Sequence, residues 1–119
     1  MAGIKDILII CKKGDDKLFK KLLGTGSEYG IKIQYKIQDN PNGIPEAFIL
    51  GEEFIGDDSV CLALGDNIFH GHGLPELLQR GAEFVNTGGG AVIFGHHVKN
   101  PERYGIVKQG KWGKILNIE

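Results

Sequence analysis

Two short segments combine residue types that can do chemistry. Leu64-Gly65-Asp66-Asn67 follows directly on the apolar run Val60-Cys61-Leu62-Ala63-Leu64. Gly65 lets a ligand approach the backbone, Asp66 offers a hard carboxylate oxygen of the kind Mg²⁺ takes, and Asn67 offers donors for a sugar hydroxyl. The second segment, Gln38-Asp39-Asn40-Pro41-Asn42-Gly43, closes an alternating run and leads into a helix whose first turn carries Pro45. Gln38 can donate and accept at once, which suits a base edge, and a helix N-terminus favours an anion. Taken by spacing alone, each segment also reads as a plain capped turn held by Asx hydrogen bonds, and the local pattern favours that reading.

The remaining reactive side chains are scattered. His70-Gly71-His72 and His96-His97 lack any accompanying H-x₃-H or C-x-x-C spacing, so no histidine metal centre is expected. No GxGxxG, GxxxxGK[ST] or G-x-S-x-G occurs, which leaves a dinucleotide fingerprint, a P-loop and acyl transfer without support. Cys11 and Cys61 both lie in apolar runs and are expected as buried free thiols. Trp112 stands in a glycine-flanked turn, as a surface or packing residue.

The elements that must position these segments follow from periodicity. Asp6-Ile7-Leu8-Ile9-Ile10-Cys11 is a continuous apolar, largely β-branched run, predicting a strand buried on both faces of a parallel sheet. Asp15 or Asp16 can cap a short helix whose Leu18, Phe19, Leu22 and Leu23 share a face. Residues 31–38 alternate strictly and predict a strand near a sheet edge. Two helices are then written alike. Ile44, Ala47, Phe48, Gly51, Phe54 and Ile55 recur at i, i+3, i+4, i+7, i+10 and i+11, and Leu74, Leu77, Leu78, Gly81, Phe84 and Val85 repeat that spacing. Pro45 and Pro75 stand in their first turns, where a missing N–H loses nothing. Residues 60–64, and residues 91–94 after the Gly88-Gly89-Gly90 turn, predict two further strands; residues 105–109 and 114–119 predict two more, joined by a turn. Strand and helix thus alternate, which predicts a three-layer α/β/α fold, Rossmann-like, with a mostly parallel sheet.

The 119 residues amount to one domain; hydrophobic residues make up 41% and charged residues 24%, as in a globular protein. A net charge of −1 leaves no basic excess to bind a phosphate backbone, so no nucleic-acid partner is expected. The apolar runs are too short for a membrane span, and no export signal is visible, so a cytoplasmic protein is expected. Nineteen glycines, with no repeat or low-complexity run, predict many short connections.

Longer stretches carry a family likeness. Tyr35-Lys36-Ile37-Gln38 followed by Gly43-Ile44-Pro45-Glu46-Ala47-Phe48-Ile49-Leu50-Gly51-Glu52-Glu53-Phe54-Ile55-Gly56 resembles the glucose-1-phosphate thymidylyltransferase family of sugar nucleotidyltransferases. So do Ala63-Leu64-Gly65-Asp66-Asn67-Ile68-Phe69-His70-Gly71-His72 and Asn100-Pro101-Glu102-Arg103-Tyr104-Gly105-Ile106-Val107. The resemblance runs over essentially the whole chain. It implies a Mg²⁺-dependent transferase that joins dTTP, or UTP, to glucose 1-phosphate and releases pyrophosphate. It implies that Gln38 and the Gly43 backbone contact the pyrimidine, that Asp66 holds Mg²⁺, and that Leu64, Asn67, Tyr104 and Gly105 line the sugar site.

The same likeness implies what is missing. The family's opening strand and Gly-rich triphosphate loop, with its catalytic Arg and Lys, have no counterpart here, nor does the C-terminal half with its sugar-binding Glu and second metal-binding Asp. Residues 1–119 are thus expected to be one partial, central nucleotidyltransferase domain that retains no catalytic residue and does not turn over alone. The alternative is a non-catalytic truncated or split module acting through oligomerisation or a partner. In the family's strand order, the missing strand lies between residues 7–11 and residues 60–64. The edge this leaves open predicts a homo-oligomer, since unpaired buried N–H and C=O groups are costly.

Overall fold

The computed structural model describes residues 3–88 and 90–118, the side chain of Arg103 excepted, and the chain divides into two units, Met1–Gly89 and Gly90–Glu119. Gly89 of the glycine turn and Glu119 of the last expected strand lie outside the described residues.

The first unit is built on a β-α-β step. Strand β1 (Asp6–Cys11) leads into helix α1 (Asp15–Leu23), then a short 3-10 turn (Ser27–Tyr29) and strand β2 (Lys32–Ile37). The two strands pair in parallel, in the register Asp6↔Lys32 through Cys11↔Ile37. Backbone bonds continue this ladder at both ends: the N–H of Lys32 donates to the Lys5 carbonyl at 2.8 Å, and that of Gln38 to the Cys11 carbonyl at 2.9 Å.

Side chains alternate across a strand, so the partners of successive residues show which layer lies where. Tyr35, opposite Ile9 in the register, donates its hydroxyl proton to the Gly24 carbonyl at 2.7 Å, at the end of α1. Leu8, one residue from Ile9, faces the other way and meets helix α2 (Glu46–Ile55) at Gly51. Helices α1 and α2 therefore cover opposite faces of the parallel pair. The chain is a mixed α/β protein with a parallel sheet between helices, as the alternation predicts.

Two glycines are buried in this packing, and only the first is required by it. Gly26 is buried with φ +82°, and a Cβ there would stand 2.7 Å from Ile33 Cγ1 and 2.8 Å from Ile31 Cγ1. Only a residue without a side chain lets the turn press against β2, where Thr25 also accepts the Ile33 N–H at 2.8 Å. Gly51 is buried in α2, but a Cβ there would meet Leu8 and Ile55 no closer than 3.4 Å, an ordinary contact.

Several expected features are corrected. Asp15 and Asp16 do not cap α1; Gly14 holds the cap position, and the Asp16 carboxylate reaches back to accept the Gly14 N–H at 3.2 Å. Of the apolar face of α1, Leu23 is half-buried while Leu18 and Leu22 are 68% and 73% exposed. The helix is held at its last turn by Tyr35, which leaves the two leucines overhanging. The second helix starts at Glu46, with Pro45 as its cap residue, and Ile44 precedes it in a turn. Residues 60–64 and 91–94 form no strand and are exposed. Their side chains suit a pleated surface, but a strand exists only with a hydrogen-bonding neighbour, and none pairs with them among the described residues. The thiols are free, as expected, but not buried: Cys11 is half-buried and Cys61, in the unpaired run, is exposed. Burial, then Asp16 and Asp15, pushes the Cys11 thiol up.

Helix α3 (Leu74–Asn86) closes the first unit, with Pro75 in its first turn as expected and the Thr87 hydroxyl donating to the Glu83 carbonyl at 2.9 Å at its end. Leu74, Leu78 and Val85 are half-buried along one side.

The second unit holds a 3-10 turn (Pro101–Arg103) and an antiparallel ribbon of β3 (Val107–Gln109) and β4 (Ile115–Ile118). The register slips between Lys108 and Gln109. The connecting turn places Trp112, fully exposed, at φ 63°, a left-handed conformation unusual for a bulky residue.

Candidate functional site

The carboxyl ends of parallel strands, where loops and helix starts converge, are where ligands meet such sheets. Gln38 occupies that position, one residue past β2 and bonded through its backbone to the last residue of β1. The loop that follows returns at Gly43 and enters α2 at Glu46. Gln38 Nε2 donates to the Gly43 carbonyl at 3.4 Å and, in a short contact, to Glu46 Oε2. Gln38 and Gly43, singled out in the sequence, are thus brought together. The side chain is half-buried, which fixes it more firmly than a solvated glutamine.

Two further residues belong to this cluster that sequence reasoning passed over. Asn42 Nδ2 donates to Glu46 Oε1 at 2.9 Å, so both oxygens of Glu46 accept amide protons. The Gln38 amide first, then the Asn42 amide, holds the Glu46 carboxyl below the usual carboxylate range. The sequence does carry a signal for half of this. Asn42 and Glu46 stand four apart across the helix start, where an acidic residue suits the macrodipole. The reach from Gln38 across the loop to Glu46 has no such local signature.

Leu64, Asp66 and Asn67 share one turn, closed by the Asn67 N–H donating to the Leu64 carbonyl at 3.1 Å, and all three are exposed. Among the described residues, no group of three or more His, Cys, Asp or Glu side chains converges. Asp66 is an exposed carboxylate that belongs to no such group. That donor set fits a hard cation held chiefly by phosphate oxygens and water, and no all-protein cage. Tyr104 and Gly105 lie in the second unit, where the Tyr104 N–H donates to the Pro101 carbonyl at 3.0 Å and the ring is exposed.

Ligands of parallel α/β sheets meet them at this carboxyl end, and it is here that Gln38 and Gly43 lie together. The model of the nucleotidyl transferase family matches residues 1–119, and the chain belongs to that family. It is 48% identical over 119 residues to a glucose-1-phosphate thymidylyltransferase of Neisseria meningitidis, all of this chain and 40% of that protein being covered. The same name belongs to a Xanthomonas campestris protein, 45% identical over 99% of this chain and 39% of that one. A Mycolicibacterium smegmatis protein so named is 46% identical over all of this chain and 40% of its own length. The chain thus spans about 40% of the length of these relatives. Among the described residues no helix is long and apolar enough to cross a membrane.

Proposed function

We propose that residues 1–119 carry the base-reading part of a glucose-1-phosphate thymidylyltransferase, as one partial nucleotidyltransferase domain acting in the cytoplasm. The reaction joins dTTP, or UTP, to glucose 1-phosphate. A phosphate oxygen of the sugar phosphate attacks the α-phosphorus, a new P–O bond forms, and pyrophosphate leaves with the electrons of the broken one. Such transfers depend on positioning and charge neutralisation. The observation that carries the reading is the juxtaposition of Gln38 and Gly43 at the carboxyl end of the parallel pair.

In this reading Gln38 and the Gly43 backbone hold the pyrimidine. Leu64 and Asn67 contact the sugar from their turn, and Tyr104 and Gly105 are assigned to the sugar as well. Asp66 would hold Mg²⁺, which when bound neutralises charge on the phosphates. None of these residues abstracts a proton or attacks phosphorus; they orient. The isolated chain is expected to bind without turnover.

Saturation-transfer NMR with dTTP and dATP tests the reading on this chain. Stronger transfer to the thymine ring than to adenine supports it; equal transfer, or none to either, counts against it.

One observation favours a second role, self-association. Among the described residues β1 pairs only with β2, although its residues are apolar on both faces. A second copy of the chain is the occupant we assign to the open edge, since strand addition satisfies its N–H and C=O groups.

A further inference from the structure

Gln38 can read a ligand in two ways, depending on which end of its amide faces outward. The NH₂ group donates twice and accepts nothing, and the carbonyl oxygen only accepts. In the structure both neighbours on one side of the amide are acceptors, the Gly43 carbonyl and the Glu46 carboxylate. Turning the amide over would set Oε1 against a carboxylate oxygen and a carbonyl oxygen, with no proton between them. The orientation with Nε2 toward Glu46 is thus dictated by chemistry, and the donors of Gln38 are committed within the protein. Glu46 is itself fixed, because Asn42 takes its other oxygen and its backbone begins α2.

We propose that Glu46 is a positioning residue that makes Gln38 a hydrogen-bond acceptor, so that the ligand taken at Gln38 and Gly43 is one presenting a ring N–H. The imide of thymine or uracil does so. A pyrimidine whose N3 is a bare acceptor does not. The inference rests on the base-reading role of Gln38 proposed above and names the residue that sets its polarity. Replacing Glu46 by glutamine keeps shape and bonding capacity but weakens the rule: an amide opposite Gln38 can either accept or donate, which leaves only the Gly43 carbonyl, at 3.4 Å, against the turned amide. Loosening Glu46 through Asn42 does the same in part.

The test has two arms, on the whole chain. In the ligand-free arm, the Gln38 side-chain NH₂ signals in a ¹⁵N spectrum are assigned by their loss in Gln38→Ala. They are expected to shift strongly in Glu46→Gln and to a smaller extent in Asn42→Ala, while the β1 and β2 amide signals stay in place. Gln38 signals unmoved by Glu46→Gln overturn the proposal, whatever any nucleotide does. In the ligand arm, dUTP is compared with the triphosphate of 2-pyrimidinone deoxyriboside, whose N3 carries no hydrogen. The wild-type chain is expected to prefer dUTP roughly five- to tenfold, the worth of one hydrogen bond, and Glu46→Gln to lower that ratio. A preference undiminished in Glu46→Gln overturns the positioning role. No nucleotide contact, or no preference in the wild type despite shifted Gln38 signals, overturns the base-reading role and with it the ligand half of the proposal, leaving the Glu46 clamp as a structural contact.

Discussion

The Tyr35 hydroxyl donates to the Gly24 carbonyl at 2.7 Å, tying the middle of β2 to the end of α1. Lys20 adds its ammonium 5.6 Å from the centre of the Tyr35 ring, a favourable but solvated pairing. With Leu18 and Leu22 overhanging, this bond and Leu23 anchor the helix.

Tyr35→Phe keeps the ring and deletes the donor. It is expected to destabilise the chain by about 1 kcal/mol, read as a lower urea midpoint with an unchanged slope. An unchanged midpoint would mean that α1 is held by other contacts.

Gly26 and Gly51 make a contrasting pair, both buried glycines. Gly26→Ala forces a Cβ to within 2.7 Å of Ile33 at φ +82°, and is expected to cost about 2 kcal/mol or more. Gly51→Ala meets only ordinary contacts and gains helix propensity, so it is expected to stabilise by about 0.5–1 kcal/mol. Thermal unfolding of the two variants should move in opposite directions.

Acid should act through Asp16. The Lys20 ammonium at 3.2 Å, helped by the Gly14 N–H, holds its carboxyl below the usual aspartate range. A carboxyl depressed in the folded state stabilises fully above its unfolded value and loses that contribution as pH falls through the folded one. Wild-type stability is therefore expected to drop below about pH 4, and Asp16→Asn to flatten this slope. The check is the urea midpoint from pH 7 down to pH 2; parallel curves for the two proteins would exclude Asp16 as the source.

Asp66→Asn removes the carboxylate assigned to Mg²⁺ without touching the Leu64–Asn67 backbone bond. In a longer relative carrying the same turn, turnover is expected to fall by orders of magnitude with the fold unchanged by circular dichroism. Near-normal turnover at saturating Mg²⁺ would remove Asp66 from the metal site.

Light scattering at micromolar concentration addresses self-association. A dimer or larger species is expected; a stable, well-folded monomer would show that the open edge of β1 is tolerated.

What could be read from the sequence was local. The run ending at Cys11, the alternation through Tyr35 and the proline start at Pro75 depend on neighbours in the chain, and each element forms where expected. Val60, Leu62 and Leu64 follow an equally good strand pattern and form none, because pairing needs a partner that periodicity cannot supply. At the candidate site, Gln38 and Gly43 were visible as residue types in a loop. Glu46 was not, because its role arises from a loop that folds back over eight residues. The caps failed for a related reason: Asp16 competes for the Gly14 N–H and Lys20 from inside the helix.

Among the described residues no apolar side chain is fully buried, and this bears on how the protein responds to heat. The heat capacity of unfolding comes from newly hydrated apolar area, and here little such area is hidden in a single chain. Calorimetry should therefore find less than the ~12–15 cal/mol/K per residue common to globular proteins. The free energy of unfolding then curves gently with temperature, so warming melts the isolated chain over a broad range. Covering the apolar faces of β1 and α1 with another polypeptide would sharpen that melting and raise the heat capacity change together.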